Sequence, residues 1–434
     1  MSKFQIIFLG LFAGLAVSGL VFFSVYKGNN SKTQQLVSIW GTVDSGKMTT
    51  YLDTLVKQVG TKITIKYYQI PDTAIYSAYV ESLISANGPD LLLLSQQQYR
   101  QFGGKLYLIP YKTISQETFK ASYINAANNY LETQGIGALP FFADPMIMYW
   151  NRDIFTNALV ARPPVSWADF VTLAPLITKK DLAYNITTSA VSLGEYANID
   201  HAKDILGLLF MEAGSPIVAQ LQNGSYGGGL AYNYGNGASA SNALDFYTQF
   251  ANPTQKAYTW NRALTSSKDL FIANRLGVYF GYAGEFNEIS QKNPNLNFDV
   301  ALMPQSKIVL NGQPLIMTYA KLYGISVAHS AKDPATAISV AQMLSSAVGS
   351  QLWSKTVGLP SDRRDTLDFN AADSKTSIFA QSAFWSQVWN DPNPNLTDSV
   401  FQTMIENVTS GKTTSNVAVQ QADQRLSAEL KPFQ

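Results

Sequence analysis

Leu36-Val-Ser-Ile-Trp40, Lys62-Ile-Thr-Ile-Lys-Tyr67 and Leu91-Leu-Leu-Leu94 are the runs that set the fold class. The first is a short apolar segment and the second alternates polar with apolar residues, as a half-buried strand does. The third is a fully apolar strand entered through the Gly88-Pro89-Asp90 break. Between the first two, Met48, Tyr51, Leu52, Leu55, Val56 and Val59 recur at helical spacing. Tyr76, Tyr79, Val80, Leu83 and Ile84 supply a second helical face. The order βαβαβ implies an α/β protein with a parallel sheet and helices packed on it. In such sheets ligands gather beyond the carboxyl ends of the strands. The tips in question are Trp40-Gly41-Thr42-Val43-Asp44 and Ser95-Gln96-Gln97. Gly41-Thr-Val-Asp-Ser-Gly46-Lys47 approaches a phosphate-binding loop, but Met48 stands where a magnesium-holding Ser or Thr is required. It reads as an ordinary loop.

Composition narrows the chemistry. The 434 residues include no cysteine, two histidines (His201 and His329) and a net charge of +1. Thiol catalysis, disulfides, cysteine-type metal sites and a lipid-modified cysteine are thereby excluded. The charge balance gives no footprint for nucleic acid. Charged residues are only 14%, while Tyr, Phe and Trp number 23, 23 and 7. Nothing in the pattern calls for a cofactor or a metal.

Lys3 and Lys27 bracket 23 uncharged, mostly apolar residues. About 20 suffice to cross a bilayer, and the run exceeds the roughly 7–15 residues of a cleavable signal. It reads as one N-terminal transmembrane signal-anchor with a polar tether to about residue 35. The body is then extracytoplasmic, extracellular or periplasmic, on a single-pass anchor in the cell membrane.

Leu139-Pro-Phe-Phe-Ala-Asp144-Pro-Met-Ile-Met-Tyr149-Trp150-Asn151-Arg152-Asp153-Ile-Phe155 leads into Arg162-Pro163-Pro164-Val-Ser166-Trp167-Ala-Asp169-Phe170. Physically this is a long strand, a turn and a helix start, with Ser166 and Asp169 placed as a capping box. Here the sequence resembles the extracellular solute-binding proteins of ABC importers, the family that includes maltose-binding protein. Three further blocks resemble it in order: Lys268–Gly281, with its Phe271 and Gly277; Tyr323-Gly-Ile-Ser326 through Asp333-Pro334; and Ser382-Ala-Phe-Trp385. Together they span about residues 36 to 430.

The resemblance implies a two-lobed periplasmic-binding-protein-like fold of type II, with a hinge and an interlobe cleft. The first lobe takes roughly 36–140 plus 300–350 and the second 141–299 plus 351–434, with Asn297–Pro304 as a return crossing. It implies a receptor that captures a small solute, carbohydrate favoured, and passes it to an ABC permease and its ATPase as separate chains. Sugar clefts combine aromatic plates with carboxylates and amides. On that basis the ligand-binding candidates are Trp40, Asp44, Asp144, Tyr282, Glu285, Trp385 and Tyr196, the last paired with Glu195. Ser95 and Gly284 stand where maltose binders carry tryptophans, which turns the reading away from maltodextrins. Each aromatic is as readily core as plate, and Tyr149, Trp150 and Trp167 are assigned to packing. Two other classes stay open: a glycosidase using paired carboxylates such as Asp144 and Glu285, and a sugar-binding surface protein that does not transport.

Overall fold

The computed structural model describes residues 35–220, 226–231, 239–306, 308–310, 313–391 and 393–430. The run between Lys3 and Lys27 lies outside them, and so does most of the Gly/Asn/Tyr-rich stretch 224–237. Among the described residues no helix is long and apolar enough to cross a membrane. The chain divides into a small unit, 1–36 with 61–64, and one large unit that carries nearly everything else. The site described below lies wholly within the large one.

The expected βαβαβ is present: strands Leu36–Gly41, Thr64–Gln69 and Leu91–Ser95 alternate with helices Ser45–Val59 and Ile75–Ser85. Leu36–Gly41 and Leu91–Ser95 run parallel, Trp40 opposite Leu92. Asp44 caps the first helix by accepting the Lys47 amide at 2.9 Å. The phosphate-loop look-alike is thus a helix cap. Ser95 and Gln98 form a reciprocal capping box that starts Gln96–Phe102 directly at the strand's end.

Leu139–Asn151 is a single buried strand of 13 residues, and its two halves have different neighbours. Leu139–Pro145 pairs antiparallel with Ala320–Ile325 of the strand Thr318–Ala328. Met146–Trp150 pairs with Val278–Tyr282, and Met148–Asn151 with Phe298–Ala301. Asn297–Pro304 therefore does hold a strand, but it lies against the far half of the long strand. Thr318–Ala328 is what runs beside the near half. Asn151 ends the long strand by capping the next helix, accepting the Ile154 amide at 3.0 Å. Half of the predicted capping box forms: Asp169 accepts the Ser166 amide at 2.9 Å, while Ser166 Oγ is buried without a partner. Ser166 instead forms an isolated parallel bridge with Gln305.

Gly324 of the Gly-Ile-Ser block has a steric reason: a Cβ there would meet the Tyr130 ring at 2.8 Å. Apolar packing is dense on both stretches of the long strand. Phe141 and Phe142 pack with Tyr51, Trp353 and Tyr323, and Tyr149 packs with Phe271 and Tyr279. Trp353 thus sits with Tyr51, the Asp362 carbonyl accepts the Ile124 amide, and Arg364 donates to the Tyr123 carbonyl. Residues 353–364 therefore pack on the segment the sequence reading placed in the other lobe.

Candidate functional site

Beyond the strand ends lies a cavity of about 340 Å3. Gln97 enters it from the first turn of Gln96–Phe102, as the strand-tip rule anticipates. Neighbouring Gln96 fixes that turn to the central strand, accepting the Leu322 amide at 2.8 Å. Tyr319 and Lys321 come from Thr318–Ala328. Tyr196, His201, Lys203 and Asp204 come from the turn and first residues of the helix Ala202–Glu212. Pro394 and Asp398 come from the start of the helix Pro394–Thr409.

The Asp391–Asn395 turn builds the last of these walls. Asn393 caps the helix and Pro394 opens it, so the segment folds as a turn and helix start. Asp391, 1% exposed, accepts from Thr397 Oγ1 at 2.7 Å and from Lys203 Nζ at 2.8 Å. Asp398, at the rim, accepts from Lys203 at 3.2 Å and from Tyr196 Oη at 3.0 Å. Burial by itself would lower the Lys203 ammonium, but Asp391 and Asp398 hold it above the usual lysine range.

Tyr282 lies behind this wall, buried at 1%. Its hydroxyl donates to Asp204 Oδ2 at 2.6 Å and its carbonyl accepts from Tyr149 Oη at 2.6 Å. Lys321 Nζ stands 4.0 Å over its ring, and His201 meets the ring edge-on at 4.8 Å. His201 takes a left-handed φ of 61° at the helix start and donates from Nε2 to Glu285 Oε1 at 2.5 Å. The other Glu285 oxygen accepts from Tyr279 Oη at 2.6 Å. Burial opposes ionisation of Glu285, yet these partners keep its carboxyl below the usual range. Asp144 faces Lys321 across the strand pair and accepts the Gly284 amide at 2.8 Å. Burial pushes its carboxyl up to about 6, with the Gly284 amide and Lys321 pulling against it. A Cβ at Gly284 would stand 2.8 Å from Asp144 Oδ2, so a tryptophan cannot occupy that position without moving the carboxylate.

The sequence candidates thus separate. Tyr196 lines the cavity. Tyr282, Glu285 and Asp144 form the layer behind it, tied to it through Asp204, His201 and Lys321. Trp40 is half-buried at its strand end, Asp44 is spent on its helix cap, and Trp385, 40% exposed, packs on Phe384 at 5.0 Å. None of these last three lines the cavity. Glu195 is held by Arg262 at 2.9 Å. Sequence reasoning missed Lys203, Asp204, Lys321, Asp391 and Asp398. A usable signal existed: Lys321 is a lone charge inside an apolar strand, and Lys203-Asp204 opens a helix that is then apolar from Ile205 to Met211.

A larger groove of about 750 Å3 runs between Asp245–Gln255 and Val408–Gly411. Its one ionisable lining residue, Asp245, already accepts from Ser415 Oγ, and no strand tip reaches it. The smaller cavity is the better candidate.

The fold is a two-lobed α/β fold. Residues 50–375 match the family model of bacterial extracellular solute-binding proteins, and the chain belongs to that family. No curated protein matches the sequence. Among solved structures it is similar to a cyclo/maltodextrin-binding protein complexed with maltotetraose (TM-score 0.72, 14% identity, covering 93% of this chain and 99% of that one). It is also similar to the sugar-binding protein MalE of Xanthomonas citri (TM-score 0.73, 16% identity, 91% and 97% covered). A third is an ABC transporter solute-binding protein of Thermotoga lettingae bound with α-D-tagatose (TM-score 0.65, 19% identity, 91% and 100% covered).

Proposed function

We propose that the chain is an extracytoplasmic receptor that captures a sugar in the 340 Å3 cavity and delivers it to an ABC permease and its ATPase. The observation that carries the reading is the cavity itself. It lies at the strand ends, and its wall offers both charged donors and charged acceptors, which suits a ligand whose hydroxyls do both. The sugars bound by the similar structures, maltotetraose and tagatose, support the same class. The run between Lys3 and Lys27 is the membrane tether in this reading, and no chemistry occurs on the solute. Of the two carboxylates a glycosidase would use, Glu285 has both oxygens occupied and Asp144 holds the Gly284 amide.

The lobes in this reading meet where Leu139–Asn151 changes neighbours at residues 145–146. The packing of Trp353 and Arg364 supports carrying the first lobe on to about residue 366. Solute capture closes the lobes about the hinge.

A thermal-shift screen of the full chain against monosaccharides, oligosaccharides, polyols and amino acids tests the proposal. A bound sugar at a hundredfold excess over its Kd adds about 2.7 kcal/mol to stability. If no sugar raises the Tm, the receptor reading fails for carbohydrates. If a sugar is turned over, the enzyme reading replaces it.

A further inference from the structure

The polar groups around the cavity are not equally available. Lys203 is spent on Asp391 and Asp398, and His201 on Glu285. Two groups keep open valences. Lys321 rests its ammonium on the Tyr282 ring face at 4.0 Å and has no hydrogen bond or ion pair among the described residues. Asp144, across the strand from it, directs Oδ1 to the Gly284 amide. Asp204 accepts from the Tyr282 hydroxyl with one oxygen, at 2.6 Å, and leaves the other uncommitted. One tyrosine thus holds an open cationic donor over its face and an open anionic acceptor at its hydroxyl.

We infer that Lys321 and Asp204 are the pair that grips the solute, and that the solute is a neutral sugar of about one or two rings. The inference rests on the receptor reading above. A neutral polyol satisfies both groups at once, donating one hydroxyl to Asp204 and accepting from Lys321 with another. Among the described residues, a free anion would be repelled by Asp204, which has no cation at bonding distance, and a free cation by Lys321, which has no anion there. Like charges brought together without water cost affinity. Size points the same way. The cavity, about 340 Å3, stands at the bottom of the range of roughly 300–1,000 Å3 found for ligand sites. Trp40 and Trp385, the rings that could extend a platform for a longer chain, do not line it.

The test is calorimetric titration of the full chain with a panel of hexoses, their disaccharides, maltotetraose, glucuronate and glycine. A hexose or disaccharide is expected to bind at least about tenfold more tightly than maltotetraose, with glucuronate and glycine not competing. Lys321→Met and Asp204→Asn are each expected to weaken that sugar by about tenfold or more, the scale of a lost hydrogen bond to a charged group, with the chain still folded, since Asn keeps an oxygen that accepts from Tyr282. The inference is overturned if maltotetraose binds more tightly than the shorter sugars, if glucuronate or glycine displaces them, or if both variants keep wild-type affinity. The chain-length comparison uses only the wild type, so it decides the matter even if a variant fails to fold. Failure of every saccharide, of any length, is the separate result that sinks the receptor reading itself.

Discussion

Two sets of residues stand at the ends of the same sheet and differ in how they are held. Around Tyr282 the side chains are cross-linked: Asp204 to the tyrosine hydroxyl, His201 to Glu285, Lys203 to Asp391 and Asp398. At the tips bearing Trp40, Asp44 and Trp385, one carboxylate caps a helix and the tryptophans stand partly in solvent. Burying charge is costly unless it is paired, so a chain that places Lys203 and Asp391 together inside has committed its structure to that wall. An aromatic at a strand end carries no such commitment, because it serves core and surface equally well. In the proposed reading, networks of buried charge therefore mark the site better than residue type does.

That contrast breaks most readily at Lys203. Lys203→Met leaves Asp391 buried without its cation, and unfolding free energy is expected to fall by about 3–5 kcal/mol in chemical denaturation. A loss below about 1 kcal/mol would mean the ion pair does not organise the wall.

Carboxyls buried without a cation at bonding distance sharpen it next. Burial pushes Glu212, which accepts from Trp167 Nε1 at 2.7 Å, up to about 8, and pushes Asp362 up to about 8 despite neighbouring Arg363. The folded state keeps protons that the unfolded chain releases above its ordinary carboxyl pKa of about 4. This contribution to stability is complete below about pH 4 and is lost as pH rises toward 8. Each carboxyl contributes at most about 1.4 kcal/mol per pH unit, so stability is expected to fall by several kcal/mol between pH 5 and 8, as followed by urea titration at each pH. Glu212→Gln should remove part of the slope. A stability that climbs over that window would contradict the assignment.

Smaller effects follow. Tyr282→Phe removes the donor to Asp204 and should cost about 1 kcal/mol in thermal unfolding. Trp385→Ala, on a ring 40% exposed, should change stability by less than about 0.5 kcal/mol. It should also leave sugar affinity within about threefold; a larger loss would return the exposed tryptophan to the site.

The sequence made much of the framework legible because periodicity reports on burial. The alternating strand and helix faces before residue 95 and the long strand from Leu139 all stand where their patterns placed them. Lone motifs were weaker guides. Ser166 and Asp169 have the spacing of a capping box, yet only the aspartate half forms and the serine hydroxyl stays without a partner. The candidate site was legible only in part. Of the residues chosen by type and motif, Tyr196 lines the cavity, and Tyr282, Glu285 and Asp144 stand in the layer behind it. Lys203 and Asp391, by contrast, meet across a separation of 188 residues that no local pattern records. Nothing local in Asp391-Pro-Asn393-Pro-Asn395 records the burial of Asp391 against Lys203, which appears only after folding.

The solute is proposed to lie against Lys321 and Asp204 and away from the exposed tryptophans. A crystal structure of the chain with the saccharide that raises its Tm most would test this directly. The account requires sugar hydroxyls within hydrogen-bond distance of Lys321 Nζ and the Asp204 carboxylate, inside the cavity reached by Gln97. A sugar stacked on Trp40 or Trp385, with Lys321 still resting on Tyr282 and untouched, would contradict it.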